Sequence, residues 1–344
     1  MSIEIQNLTI TAFDADDDDA VDASFRIDAA ARAHDVPDFP PHCRHRYRGG
    51  IRHPYPGVAD NRFLALLEGV PVGSLNVELS TLDNLDNAFV ELIVHPAHRR
   101  RGIGRALYRK AVEVAQAGGR KRLMGNTVEQ MAGGPDRDGA GAEFAAAMGG
   151  HRALCEIRRK LELSHVDDQA LDRLLAKAYT RAEGYSLMRW RDWTPDEYVD
   201  DVAVLEGRMV TDAPMGDLAW EKEQIDADRI RGNESIRALH GTRLYAAGMR
   251  NDATGRLVAL STLIFFKTVP EHAWQGITLV HQADRGHRLG TIVKIENLRY
   301  TLAHEPALKV IDTWNAEVNS YMISINEAMG YRPVDAWVDW QQDI

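Results

Sequence analysis

The feature that most constrains this chain is a repeat of long period. Val94 to Gly104 reads VHPAHRRRGIG and Val280 to Gly290 reads VHQADRGHRLG. Five of the eleven positions are identical (Val, His, Ala, Arg and Gly), and Ile103 matches Leu289 in character. Each segment follows an apolar strand-like run, Ala88 to Ile93 and Gly276 to Leu279, and each precedes a helix-like stretch, Ile103 to Gln116 and Leu289 to Leu302. Each half then carries a Met-Gly pair, Met148-Gly149 and Met329-Gly330. So long a period means duplicated domains, not a solenoid. A chain of 344 residues has room for two. The expected division is 1–164 and 165–344, with residues 164–183 as a connecting helix.

Local patterning fills in the first half. IEIQNLTITAF reads as a strand, and Asp16 to Asp19 open a helix through about His34, acidic residues suiting a helix N-terminus. Residues 35–57, rich in Pro, His and Arg, read as a loop. RFLALLEGVPVGSLNVELS is two strands around the Glu68-Gly69 turn, and NAFVELIVHP is the strand before the basic loop. There follow a helix at 103–117, a strand from Arg122 to Val128, a Gly-rich loop at 132–141, a short helix at 142–148 and a strand near Glu156 to Leu163. The second half repeats the order. YSLMRW is a strand, Glu197 to Met209 and Leu218 to Ile236 are helical, and strands follow at Arg243 to Met249 and Leu257 to Phe266.

Composition narrows the function. The formal net charge of −10 disfavours nucleic acid and anionic membranes as partners and favours cationic ones such as amines. Within that acidic chain, Arg and Lys collect at 99–105 and 120–122, and a basic spot on an acidic protein suggests a bound anion. Two cysteines, Cys43 and Cys155, build neither a disulfide framework nor a Cys-based zinc site, and no metal is expected. The start, MSIEIQNLTI, lacks the basic and apolar stretches of a signal peptide or anchor, so the cytoplasm is the expected compartment.

A strand that runs into Arg-x-x-Gly-x-Gly and then a helix is an anion site. The helix start leaves N–H groups unpaired, its dipole favours negative charge, and glycine lets backbone close on a phosphate. Arg99, Arg100, Arg101 and Arg105 add charge-assisted hydrogen bonds around Gly102, Ile103 and Gly104, and a pyrophosphate is the natural occupant. No Gly-Lys-Ser/Thr is present, so this is not a nucleoside-triphosphate loop, and the three-glycine dinucleotide spacing is missing.

Val94-x-Pro96-x-x-Arg99-Arg100-Arg101-Gly102-Ile103-Gly104-x-x-Leu107 resembles the acyl-CoA motif of the GNAT N-acetyltransferases. Arg285-Gly286-His287-Arg288-Leu289-Gly290 is a looser match, with Arg288 in place of the first glycine, and TWNAEVNSYMISINEAMGYRP resembles the end of a GNAT domain. Tandem GNAT proteins show a similar layout. The resemblance implies an α/β fold of the α+β type: two domains, each a mixed, splayed, mostly antiparallel sheet flanked by helices. The pantetheine arm of acetyl-CoA or another acyl-CoA enters the splay after the fourth strand, near backbone groups of Ile93 and Val94. A small-molecule amine then attacks the thioester directly, and the protein acts as a monomer or homodimer. Alternatives within the resemblance are a carrier-protein thioester or aminoacyl-tRNA donor, or a non-catalytic acyl-CoA sensor.

Single residues follow. Glu91, on the strand before the loop and on the side of Phe89 and Ile93, is the candidate base. The tyrosine that donates a proton to the leaving thiolate in this family falls four residues before the Gly of the Met-Gly pair, where this chain has Ala145 and Asn326. Tyr321 is the candidate substitute in the second half. Asn315 and Asn319 are candidates for bonding pantetheine, against helix capping. His42 to Pro56 is a candidate substrate loop, and Trp190, Trp193, Trp220 and Trp274 are candidates to line a pocket.

Overall fold

The computed structural model describes residues 5–344 and divides them into two compact units. The first holds the chain up to Cys155 together with Gly216–Trp220 and Ala336–Ile344, and the second holds Glu156–Met215 and Glu221–Asp335. A single cut after residue 164 therefore does not describe the chain, because two later segments belong with the first unit.

In chain order the elements of the first part are β1 (Leu8–Phe13), α1 (Asp18–Asp35), α2 (Arg44–Arg52), β2 (Val58–Leu67), β3 (Val70–Ser80), β4 (Asn87–Val94), α3 (Ile103–Ala117), β5 (Arg122–Gln130), α4 (Ala140–Ala147) and β6 (His151–Glu162). There follow α5 (Asp168–Tyr179), β7 (Tyr185–Arg191), α6 (Val199–Gly207), α7 (Met209–Asp212), α8 (Ala227–Leu239), β8 (Thr242–Asn251) and β9 (Leu257–Phe266). The chain ends with β10 (His272–Val280), α9 (Leu289–His304), β11 (Val310–Ala316), α10 (Ser320–Met329) and β12 (Arg332–Asp343). The strand expected over IEIQNLTITAF is confined to Leu8–Phe13, and residues 3 and 4 of that segment lie outside the described residues.

The first unit's strands lie in the order β1-β2-β3-β4-β5-β12, followed by the start of β6. Glu68 and Gly69 turn the β2–β3 hairpin with φ of 52° and 81°, the left-handed pair that a two-residue turn requires. On α3, Ile103, Leu107, Ala111 and Ala115 recur every four residues and are all buried, a stripe whose alanines let the helix lie close on Val72, Leu75 and Val77 of β3. Asp17 caps α1, accepting from Ala20 N at 3.0 Å, and Asp18 and Asp19 complement its dipole.

The expected loop at 35–57 contains α2 instead. Arg44, Arg48 and Arg52 come round every fourth residue and pair with Asp22 and Asp18 on α1. Those ion pairs supply what the sequence, with Gly49 and Gly50 inside the helix, withholds locally.

The second unit's strands lie in the order β6-β11-β10-β9-β8-β7. The helix expected from Leu218 begins only at Ala227, capped by Asp226, which accepts from Arg229 N at 2.8 Å. The preceding residues are irregular because Gly216 and Asp217 belong to the first unit: Asp217 N donates to Ala153 O at 2.8 Å, and a Cβ on Gly216 would sit 2.2 Å from that same oxygen.

The last strand closes the first unit. Ile344 N donates to Lys121 O at 2.9 Å, Trp340 Nε1 donates to Thr127 Oγ1 at 2.8 Å, and Gln341 Oε1 accepts from Ala219 N at 2.8 Å. Deleting residues 336–344 is expected to strip the slow amide exchange of β5, read by hydrogen-exchange mass spectrometry. Unchanged protection over Arg122–Gln130 would show that β5 needs no neighbour on that side.

Candidate active site

The basic loop owes its shape to two left-handed residues. Arg100 has φ 63° and Gly102 φ 86°, and Gly102 caps α3 with no side chain to bond the first N–H groups. The helix start therefore presents unpaired donors at 103–105, where an anion is favoured. Glycine is required again at 104, where a Cβ would come within 3.1 Å of the Phe144 ring on α4.

The arginines divide their labour. Arg99 is clamped: both its terminal nitrogens reach Asp35 at 2.7 Å, one also reaches Asp138 at 2.8 Å, and its Nε donates to Val94 O at 3.3 Å. It ties α1 to the loop before α4 and fixes the end of β4, and its pKa is raised, first by the hydrogen bond to Asp35. The cluster His34, Asp35 and Asp138 has donor atoms within 4.8 Å of one another, but Arg99 already uses both carboxylates. Arg100 pairs with Glu143 at 3.1 Å on the surface. Among the described residues Arg101, Arg105 and Arg109 have no ion-pair partner, and all three line the cavity described next.

That cavity, of about 1160 Å³, is opened by the sheet itself. β4 and β5 pair in parallel only from Asn87–Arg122 to Phe89–Met124, and beyond Phe89 the strands part. The walls are Val90–Val94 of β4, Gly125–Val128 of β5, the start of α3, α4, and Trp337, Trp340 and Gln342 of β12. The structure thus brings Glu91, Ile93, Val94 and residues 99–105 to one space. The tryptophans on it are Trp337 and Trp340, not the four singled out from sequence; Trp190 is buried in the second unit's core and Trp193 is exposed.

Glu91 sits opposite Asn76 on the face of β4 that turns towards α1. Its side chain is 49% exposed, and that exposure is to the cavity, whose walls still desolvate the carboxyl. Burial, then the charge of Asp28, push its pKa above the ordinary carboxylate range. Arg32 stands 3.9 Å away and partly offsets this. Asp28 itself stays low despite its burial, because His42 and Arg32 both bond it, Arg32 Nε at 3.0 Å. Glu78, on the same face, is also pushed up by burial and by Asp60 directly across the strand pair. The His42 to Pro56 segment thus touches the site through His42, by way of Asp28.

The second unit repeats the geometry with exchanged residues. β10 and β11 again pair in parallel for three residues, His272–Val310 to Trp274–Asp312. Arg285 Nε donates to Val280 O at 3.3 Å as Arg99 does to Val94, and the left-handed positions are Gly286 (φ 89°) and Arg288 (φ 59°). Arg285 pairs with Asp212 at 3.0 Å and His287 Nδ1 lies 3.0 Å from Arg181 O. Leu289 and Gly290 are buried. Asn319 caps α10, accepting from Met322 N at 3.2 Å, and Asn315 Oδ1 accepts from Asn326 at 2.5 Å. Both asparagines are thus engaged within the fold. Tyr321 is exposed, its hydroxyl 3.9 Å from where a Cβ on Gly290 would lie.

Sequence reasoning missed Lys294 and Tyr108, which occupy the same place, four residues after the closing glycine of each loop. Lys294 is fully buried, its amine has no hydrogen-bond partner and lies 5.0 Å from the Tyr331 ring centre. The spacing Gly-x-x-x-Tyr on the α3 face was the available signal for Tyr108.

With fold and site in view, the comparisons place the chain. The pattern of the acetyltransferase (GNAT) family matches residues 29–131. The chain belongs to the GNAT family, whose fold implies acyl transfer. A tandem GNAT protein from the clavulanic acid biosynthesis pathway, solved without AcCoA, is 34% identical over 98% of each chain, with a TM-score of 0.81. A GCN5-related N-acetyltransferase from Sphaerobacter thermophilus aligns over 98% of this chain and 96% of its own at 12% identity and TM-score 0.65. A putative acetyltransferase from Pyrococcus horikoshii aligns over 100% and 92% at 13% identity and TM-score 0.58. These last two show the fold alone. No curated protein sequence matches. No helix among the described residues is long and apolar enough to cross a membrane.

Burial lowers the Lys294 pKa to about 7, against about 10.4 for a solvated lysine. The unfolded chain binds the extra proton between those values, so stability is penalised in full below about 7 and recovers as pH rises towards 10.4. Lys294→Met is expected to raise stability at pH 6 and to flatten this slope in denaturant titrations across that window; an unchanged slope would mean the amine is solvated.

Proposed function

We propose that this protein is an acyl-CoA-dependent N-acyltransferase whose first unit holds the donor. The observation that carries this reading is the split of β4 from β5, which opens next to uncapped helix donors and three unpaired arginines. The diphosphate rests on the N–H groups of 103–105 with Arg101 and Arg105 beside it, and Arg100 is within reach once it leaves Glu143. The pantetheine arm lies along the unpaired edge of β4 at Ile93 and Val94. A backbone N–H on that edge polarises the thioester carbonyl and takes up the charge that develops on its oxygen.

The acceptor enters from the α1 side, where Asp28, Glu78 and Glu91 give the cavity a negative end. That end draws a cationic amine, opposite to the arginine end that draws the donor. Glu91, whose pKa burial raises above the ordinary carboxylate range, faces the cavity and is suited to take the ammonium proton before attack. The amine nitrogen then bonds the acyl carbon and the C–S bond breaks, with no covalent enzyme intermediate. In the second unit Gly290 and Lys294 are buried where Gly104 and Tyr108 of the first are partly exposed, so the reading gives that unit no donor.

Two tests follow. Arg101→Glu combined with Gly102→Asp is expected to weaken acetyl-CoA binding at least ~100-fold by calorimetry, since it puts negative charge and a strained residue at the loop. Unchanged affinity would move the donor to Arg285–Gly290. Glu91→Gln is expected to leave acetyl-CoA affinity intact and lower kcat about 10²-fold or more. A kcat and acid limb identical to the native enzyme would remove Glu91 from the reaction.

A further inference from the structure

Amine attack on a thioester sends the C–S electron pair to sulfur, and a thiolate leaves poorly unless a proton reaches it. The position at which the family supplies a tyrosine for this is Ala145. Among the described residues that line the cavity, Tyr108 is the one phenol. We infer that Tyr108 is the proton donor to the departing thiolate, held for that task by Gln342 from the end of the chain. The inference rests on the acyl-CoA reading of the first unit.

Depth is the first support. The bonds Ile344 to Lys121 and Trp340 to Thr127 run in opposite senses along the two chains, so β12 is antiparallel to β5 and Gln342 comes level with Leu123. Leu123 is opposite Ala88, one pair before the split. The Tyr108 hydroxyl donates to Gln342 Oε1 and therefore sits at the closed end of the split. An arm anchored at the loop delivers its thioester towards that end. Glu91 lies two residues past the last pair on β4 and on the face away from α3, so the proposed base and acid stand on opposite sides of the sheet at the split.

The second support is the packing around residue 145. The Tyr108 ring meets Phe144 edge-on at 6.3 Å, and Phe144 is the ring for which Gly104 makes room. Ala145, the next residue of α4, lines the same cavity as Tyr108. The third is the Met-Gly pair. Gly149 has φ 92°, and a Cβ there would lie 3.2 Å from Gln342 Nε2. The glycine admits the glutamine, and the glutamine holds the tyrosine. Burial raises the Tyr108 pKa above that of a free phenol, so the hydroxyl keeps its proton at neutral pH until the thiolate forms.

The step balances without a further reagent. The amine nitrogen bonds the acyl carbon, the C–S pair goes to sulfur, and the Tyr108 proton moves to sulfur to give free CoA thiol. The phenolate then accepts from Gln342 once its amide turns Nε2 inward. Glu91 keeps the proton it took from the ammonium, the attacking nitrogen gives its surplus proton to solvent as the amide forms, and solvent returns one to Tyr108.

The test uses hydroxylamine as acceptor, a small neutral nucleophile that bypasses the acceptor site, and reads thiol or selenol release from acetyl-CoA and from its selenoester. A selenolate is a weaker base and leaves without an acid. Tyr108→Phe is expected to keep acetyl-CoA affinity in calorimetry, lose about 10²-fold of rate on the thioester, and regain most of it on the selenoester. Gln342→Leu, a change at a positioning residue, is expected to lower kcat in the same thioester-selective way with KM for acetyl-CoA unchanged. Tyr108→Phe as fast as the native enzyme, or slowed equally on both esters, overturns the assignment. So does a native enzyme that binds acetyl-CoA yet releases thiol no faster than free hydroxylamine does. Failure of the native protein to bind acetyl-CoA overturns the donor reading, and this assignment with it.

Discussion

Parallel pairing between β4 and β5 lasts three residue pairs, and the chemistry open to the first unit depends on where it stops. Backbone donors and acceptors beyond Phe89 lose their strand partner, and a buried backbone group without a partner is costly. The split therefore has to be kept open by structure on every side. Gly125 marks its start, because a Cβ there would press to 3.0 Å on Val90 O as the strands begin to part. The Arg99 clamp holds one mouth, and α4 with the last strand forms the far wall. In the acyl-CoA reading the groups that line the gap stand ready for the pantetheine amides, which is pre-organisation in a concrete sense.

Much of this was legible in residues. The α3 stripe, the Glu68-Gly69 turn and the loop from Arg99 to Gly104 follow from local spacing, and all appear where the spacing puts them. The repeat carried more than the alignment suggested. Position by position the second loop has lost a glycine, yet its backbone has the same two left-handed residues, with glycine moved from the fourth place to the second. A left-handed non-glycine costs roughly 1–2 kcal/mol. Each loop tolerates one, Arg100 in the first and Arg288 in the second.

The rest was hidden for physical reasons. α2 is made by ion pairs to a helix more than twenty residues earlier, and no local propensity records them. Gly216 to Trp220 and the end of the chain join the first unit through single hydrogen bonds and strand order, which hydrophobic periodicity does not encode. The partners of Arg99 were hidden too. An arginine in a phosphate loop reads as a ligand, but two carboxylates remote in sequence have claimed it. Tyr108 was passed over because it belongs to a helix face that reads as core, and only Gln342 reveals where its hydroxyl goes.

The strand that finishes the first unit is made after the second. A ribosome must pass through the whole second unit before it reaches residues 336–344, so the first unit cannot complete its sheet until the second has been synthesised. Until then the flank of β5 is an open edge of the kind that recruits foreign strands. Amino-terminal domains generally fold first during translation. Here the order is inverted for the unit proposed to hold the donor, and a nascent chain stalled within the second unit would carry that cleft unfinished.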